Sequence, residues 1–402
     1  MNKVCLCIQL HLPAILRQYR FFEVNKNDYY YDDCVTDSQV DQFYRDIFVP
    51  FFDLVSKLNT QTKSKIKLGI AVSGITLKLF KKYRPEALVT LDTLHQHGLI
   101  EFLSVSWSNS LVAFNDSSLL KEQLLLHDQF LQHFFGTTPK VFMAGRNELS
   151  AQSLSVIRKV GKKAVVGGGA EPDNDMNCNI IQGCLEMWFA DQKLSRSVQK
   201  HELALLRENN YSRPEKLLKQ IREHAQSTPV FIEYNLAQLD EPFLLNRSFF
   251  WQTLLTELGA DSQAGFVLPS EFVGLSRTSS GNGNTERRVS GKKGKNLWLK
   301  NDLQKEAYSK LVLLNEMVKA CDCETLARDW EYLQDKNYLF YMNDRFFEDE
   351  FAAQHFNPYQ NPYLAFINYM NILSDLENRL LNRIRKNEFE QHQLNSINFP
   401  SN

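Results

Sequence analysis

The feature that most constrains this chain is a repeat of pattern rather than of residues. Across the first 275 residues, short apolar runs alternate with longer amphipathic ones. Seven of the short runs have strand character: 4–10, 66–72, 100–106, 140–143, 163–167, 185–189 and 230–234. Apolar runs of this length, rich in Val, Ile and Phe, suit strands buried on both faces. Between them lie helical patterns such as "DQFYRDIFVPFFDLVSKLN", "PEALVTLDTLHQHG" and "SLLKEQLLLHDQFLQHFFG". The last of these closes at Gly136, a residue suited to a helix C-terminal cap. Strand–helix alternation predicts parallel strands with helices outside. The fold class is therefore α/β, and seven units predict an incomplete (β/α)7 barrel. An open parallel sheet is compatible with the same pattern. A further apolar run at 265–268 is either one more strand or a closing segment.

The pattern stops at 276–296. This stretch is rich in Gly, Ser and basic residues and lacks apolar periodicity, so it reads as a flexible loop or linker. From 297 onward the texture is helical. Apolar residues at 303, 307, 311, 314 and 318 form one stripe. "NPYQNPYLAFINYMNILSDLENRLLNRIRK" offers two X-Pro turns and then a long helix. Three regions are thus expected: a barrel over 1–275, the linker 276–296, and a C-terminal helical region over 297–402 that packs on the barrel.

A net charge of -1 supplies no field for nucleic acid or a membrane surface. No run of about 18 apolar residues is present, so no membrane span is expected. Gln9, His11 and Pro13 interrupt the apolar start, which reads as a first strand rather than a signal peptide. The seven cysteines cannot all pair and have no framework spacing, so reduced thiols in a cytoplasmic protein are expected. For Cys5 and Cys7 the expectation is one thiol on each face of the first strand. Cys321-Asp322-Cys323 lacks a second pair of ligands at zinc spacing, so no metal site is expected there.

Several stretches together resemble glycoside hydrolase family 57, and its compact bacterial branch most of all. They are "QLHLPAILRQYRFFEV", "YYYDD", "SGITLKLF" and "IEFLSVSWSNSL" in the first part of the chain. Later come "WLKNDLQKEAYSKL", "RDWEYLQ" and "FNPYQNPYLAFINYMNILSDLE". The resemblance implies a (β/α)7 barrel followed by helices over its mouth, acting on α-glucans such as glycogen, starch or maltooligosaccharides. It also implies a retaining mechanism. One carboxylate attacks the anomeric carbon, a second protonates the leaving oxygen, and the two lie about 5–5.5 Å apart. That chemistry requires neither a metal nor an organic cofactor.

The family's site residues carry over one by one. Its first motif, His-Gln-Pro, reads His11-Leu12-Pro13 here, and His11 is the implied sugar contact. The third-strand motif has lost an acid and a His, leaving Trp107 and Asn109 as substrate contacts, with Trp107 equally suited to the core. At the fourth strand, "VFMAGRNELS" puts Glu148 on the nucleophile when matched by motif. Matched without a gap, it puts Arg146 there. The bland alternative for Glu148 is an acid in a first helical turn. At the seventh strand Glu233 takes the position of the acid/base Asp, with one extra methylene, and the Glu that follows has become Asn235. "KLSRS" replaces a stretch that carries two acids in the family.

Scaffold stretches thus survive while polar groups at the mouth have changed at four strands. Because small misplacements of catalytic groups cost about a hundredfold in rate, the sequence reading is a family-57 barrel with weakened or lost catalysis that retains glycan or partner binding. Two alternatives stand beside it. One is an active retaining hydrolase or glucanotransferase using Glu148 and Glu233. The other is an assembly protein whose partner binds through the 276–296 loop and the C-terminal helices.

Overall fold

Strand β1 (Asn2–Leu10) is paired along both edges, and the first unit is built around it. The computed structural model describes residues 2–61, 65–145, 148–167, 179–182, 185–188, 190–208, 214–227, 229–237, 245–260, 264–273, 298–321, 323–343 and 357–397. The expected linker at 276–296 lies outside the described residues. The chain divides into two compact units. One comprises 1–12, 37–109 and 113–294; the other comprises 13–36, 110–112 and 295–402.

Among its described residues the first unit holds nine short strands: β1, β2 (Leu68–Val72), β3 (Ile100–Phe102), β4 (Val141–Ala144), β5 (Ala164–Gly167), β6 (Asn179–Gln182), β7 (Leu185–Trp188), β8 (Val230–Asn235) and β9 (Ala264–Phe266). One sheet runs β3-β2-β1-β8, all parallel, with Cys7 of β1 in register with Gly69 on one side and Glu233 on the other. A second runs β4-β5-β7 in parallel, with β6 antiparallel at its edge. The two sheets are joined at both ends. Ser104 bridges Phe142, its N–H donating to Val141 O at 2.9 Å while Met143 N–H donates back to Ser104 O at 2.8 Å. At the other seam, Asp191 N–H donates to Phe231 O at 3.0 Å.

The seven expected strands are therefore β1 to β5, β7 and β8, and they form the (β/α)7 barrel. Two differences are informative. The third run ends as a strand at Phe102 instead of continuing to 106, because the chain there changes partner: Leu103 N–H still donates to Ile70 O, whereas Ser104 turns to β4. Strand β6 was not expected at all. The run at 265–268 takes both of its readings in turn. It starts as β9, parallel to β1, and continues into the short helix Pro269–Phe272.

A seven-stranded barrel is narrow, and its interior reflects that. Cys5, Cys7, Ala71, Val141, Met143, Ala164, Val166, Trp188 and Phe231 line it, with Phe272 against Trp188 and Phe231. Cys5 and Cys7 are both inside, their Sγ atoms 3.9 Å apart, which corrects the expectation of one thiol per face. Residues two apart on a strand point the same way. On the outer face Val4, Leu6, Ile8 and Leu10 are equally buried. That double burial explains why β1 reads as a continuous apolar run.

Helices cover the outside: α1 (Asp33–Phe43), α2 (Val49–Gln61), α3 (Gly74–Tyr83), α4 (Glu86–Gln96), α5 (Ser117–Phe135), α6 (Ala151–Lys159), α7 (Gln192–Glu208), α8 (Glu215–Ser227) and α9 (Leu245–Ala260). Between α1 and α2 the turns widen over Tyr44–Phe48. Pro50 lacks the N–H that would bond Asp46 O, so a regular helix cannot run through. Gly136 ends α5 at φ 64°, as expected. Behind β8, Arg247 bonds Glu202 at 2.7 Å, Trp251 donates to the same carboxylate at 2.8 Å, and Tyr234 donates to its other oxygen. Arg247 and Glu202 are fully buried, and these bonds are what make that burial tolerable.

The second unit is helical over Asp302–Ala320, Glu324–Leu333, Lys336–Phe340 and Pro362–Ile397. Asp375 on the last helix accepts Tyr30 OH at 2.6 Å, and Arg379 donates to Tyr30 OH and to Asp329 at 2.9 and 3.1 Å. Tyr31 donates to Asp329 O at 3.1 Å. No helix among the described residues is long and apolar enough to cross a membrane.

His127 on α5 is wholly buried and donates to Val72 O at 2.8 Å. Burial holds its pKa down to about 4. The folded protein therefore keeps a neutral imidazole while the unfolded chain takes up a proton below about 6.5. Stability falls as pH drops from about 6.5 to 4, by roughly 3 kcal/mol from this group at about 1.36 kcal/mol per unit. In urea titrations across that window, His127→Gln should show a correspondingly shallower loss than wild type. Parallel curves would contradict the assignment.

Candidate active site at the barrel mouth

The C-terminal ends of the strands collect the polar residues, as in other barrels of this kind. His11 follows β1, and its Nδ1 lies 2.7 Å from Ser73 Oγ at the end of β2. Ser73 is the N-cap of α3, accepting from Thr76 N–H. Thr76 Oγ1 lies 2.9 Å from Ser73 Oγ and accepts Leu12 N–H at 2.7 Å. The "SGITLKLF" stretch thus fixes the orientation of His11 through a helix cap.

Trp107 lies in the core, 4% exposed. A Cβ on Gly74 would sit 1.9 Å from its ring, so glycine is what admits the indole there. Phe130 and His127 pack on it at 5.7 and 6.4 Å between centroids, and Lys78 Nζ is 5.5 Å from the ring. Of its two sequence readings, this placement is the packing one. Asn109 holds a left-handed turn at φ 53°, a conformation that Asn tolerates better than most side chains. Arg146 lies outside the described residues.

Glu148 is on the connection between β4 and α6, 6% exposed. The N-cap of α6 is Ser150, so Glu148 stands ahead of the helix and not in its first turn, which corrects that alternative. Its Oε2 accepts Gly145 N–H at 2.5 Å, and its backbone O accepts Ser153 Oγ at 3.1 Å. A Cβ on Gly145 would lie 2.5 Å from Glu148 Oε1, so only glycine leaves space for the folded-back carboxylate.

Glu233 sits on β8 facing inward, its N–H donating to Ser195 Oγ at 3.1 Å. Its carboxylate crosses toward β5. Glu233 Oε2 lies 3.3 Å from the Cβ position of Gly167, which lies in turn 2.7 Å from Ala144 O. Gly167 adopts φ 86°, so a side chain there would be strained as well as crowded. Ala144 precedes Gly145, against which Glu148 lies. The two acids named from the sequence therefore reach the same corner of the barrel mouth. Asn235 is turned elsewhere, accepting Ala237 N–H at 3.1 Å.

Sequence reasoning missed the supports. Ser73, Ser195, Gly145 and Gly167 position the candidate residues. For Ser73, Gly145 and Gly167 the signal was a Ser or Gly at the end of an apolar run, whereas Ser195 lies inside α7 with no such signal. Among the described residues, no group of three or more His, Cys, Asp or Glu is arranged to hold a metal ion.

The family model for glycosyl hydrolase family 57 matches residues 5–275. The chain belongs to glycosyl hydrolase family 57. A comparison with curated protein sequences found no match. Among solved structures, the family-57-type branching enzyme of Pyrococcus horikoshii aligns with a TM-score of 0.64 at 11% identity, over 96% of this chain and 94% of that one. The alpha-amylase AmyC of Thermotoga maritima aligns at 0.58 and 8% identity, over 96% of each chain. The 4-alpha-glucanotransferase of Thermococcus litoralis aligns at 0.58 and 12% identity, over 84% of this chain but 55% of that enzyme. At these identities the likeness is one of fold.

A double-mutant cycle tests the contact between Glu148 and Gly145. Gly145→Ala and Glu148→Ala each remove the same side chain–amide arrangement, so their destabilisations should fall short of additivity by about 0.5 kcal/mol or more. Additive effects would mean that Glu148 does not rest on Gly145 in solution.

Proposed function

We propose that this chain is an α-glucan-binding barrel of family 57 in which glycoside cleavage is weakened or lost. The observation that carries this reading is the state of Glu148. Its carboxylate is buried and turned back onto the Gly145 amide at 2.5 Å. A retaining nucleophile must present an oxygen about 3–3.5 Å from the anomeric carbon. With Oε2 engaged by that N–H, attack would fall to Oε1 of a carboxylate that is only 6% exposed and turned back toward the end of β4. The changed residues at and beyond the ends of the third and seventh barrel strands point the same way. Asn109 cannot exchange a proton usefully, and Asn235 is occupied by its own turn. His11, held by Ser73, and Asn109 remain as contacts for sugar hydroxyls. The substrate class follows from family membership and from relatives described as a branching enzyme, an alpha-amylase and a 4-alpha-glucanotransferase.

A second reading is favoured by one specific observation: Glu148 and Glu233 approach a single corner, Ala144–Gly145 with Gly167. On that reading Glu148 is the nucleophile and Glu233 the acid/base of an active retaining hydrolase or transferase, once Glu148 swings off the amide. Incubation with maltoheptaose, resolved by chain length, separates the two. We expect binding without redistribution of chain lengths. Redistribution that disappears in both Glu148→Gln and Glu233→Gln would replace the first reading with the second.

A further inference from the structure

We propose that the helical unit carries a groove of its own for a short α-glucan, between the turn at 25–28 and one face of the helix Pro362–Ile397. The proposal rests on the α-glucan reading above, and the site uses no residue of the barrel unit. The groove encloses about 580 Å³, within the ~300–1,000 Å³ typical of small-ligand sites. Asn378, Asn382 and Arg385 line it from the helix at spacings that share a face, and Asn25 and Asn27 line it from the turn.

Its walls are fixed. Asp375 is 1% exposed and accepts Asn25 N–H at 2.5 Å as well as Tyr30 OH. Asn25 itself is held at φ 65°. Tyr19 OH donates to Glu23 O at 2.9 Å, and Lys26 N–H donates to the same oxygen at 2.9 Å, closing the turn.

The chemistry of the lining selects a neutral, hydroxyl-rich occupant. Lys26, Arg379 and Arg385 face the groove, but so do Asp28 and Asp375. Arg379 is already bonded to Asp329 and lies 3.7 Å from Asp28. No concentrated positive field is left for a phosphate. The amides that remain each offer donors and an acceptor, the combination that hydroxyl groups need. Phe21 and Phe22 stand on the same turn, 74% and 78% exposed, with ring centroids 6.0 Å apart. They do not line the groove, but they lie four and three residues before Asn25 on the same stretch of chain. Two adjacent solvent-facing rings there supply an apolar surface for the C–H face of a pyranose that extends beyond the groove.

Calorimetric titration of the full chain with maltoheptaose tests this. The variants are Asn378→Ala/Asn382→Ala, Phe21→Ala/Phe22→Ala and, at the barrel, Glu148→Gln/Glu233→Gln. We expect each groove pair to weaken binding at least tenfold with unchanged melting, while the barrel pair leaves a groove-dependent component in place. The Asn pair lines the groove and the Phe pair lies beyond it on the chain that leads into its turn, so failure of one pair to fold leaves the other to decide. Wild-type affinity in a folded groove variant overturns the proposal. If the barrel pair then abolishes binding, the α-glucan reading survives without the groove. If wild type binds no maltoheptaose, both readings fall.

Discussion

The pairing of β1 along both edges is the constraint on which the barrel depends. Its register sets Cys7 between Gly69 and Glu233, which determines what faces the axis. Each strand contributes few inward side chains, and those are mostly small: Cys, Ala, Val and Met, with Trp188 and Phe231 filling the remaining width. A slip of β1 by one residue would turn Val4, Leu6 and Ile8 inward, and the same slip of β8 would send Glu233 into the apolar outer layer. Burial on both faces makes such a slip costly. The position of Glu233 is therefore a consequence of core packing before it is a feature of chemistry.

The same narrowness explains the glycines at the mouth. A carboxylate reaching across from β8 needs space beside β5, and Gly167 provides it. A carboxylate folding back over the end of β4 needs space too, and Gly145 provides it. These positions allow two acids to crowd one corner without displacing the strands. The bond from Glu148 satisfies a strand-end amide, and it holds the carboxylate back over β4, away from the extended pose that attack needs. Structure and catalysis thus make competing demands on Glu148, and its present bond serves the strand end.

Much of this was legible in the sequence because it is a matter of period and burial. The seven barrel strands, the cap at Gly136 and the C-terminal helices each leave a local pattern. The stretches "YYYDD" and "RDWEYLQ" were recognisable for a reason now visible: Tyr30 and Tyr31 bond Arg379 and Asp329 within the helical unit. What was not legible depends on geometry that residue type alone does not report. Strand β6 has too few apolar residues to stand out and forms by pairing with β7. The place of Glu148 ahead of its helix depends on Ser150 taking the N-cap. Trp107 read as either a platform or a core residue until Gly74 was seen to make room for it. Cys5 and Cys7 share the inward side because residues two apart on a strand face the same way, against the expectation of one thiol per face.

The central claim is that Glu148 closes the end of β4 at the corner Glu233 also reaches. A crystal structure of the unliganded protein, with both side chains resolved, tests it most directly. The account predicts Glu148 Oε2 on the Gly145 amide and Glu233 beside Gly167. A Glu148 carboxylate extended into the barrel mouth, with the Gly145 amide bonded elsewhere, would contradict it.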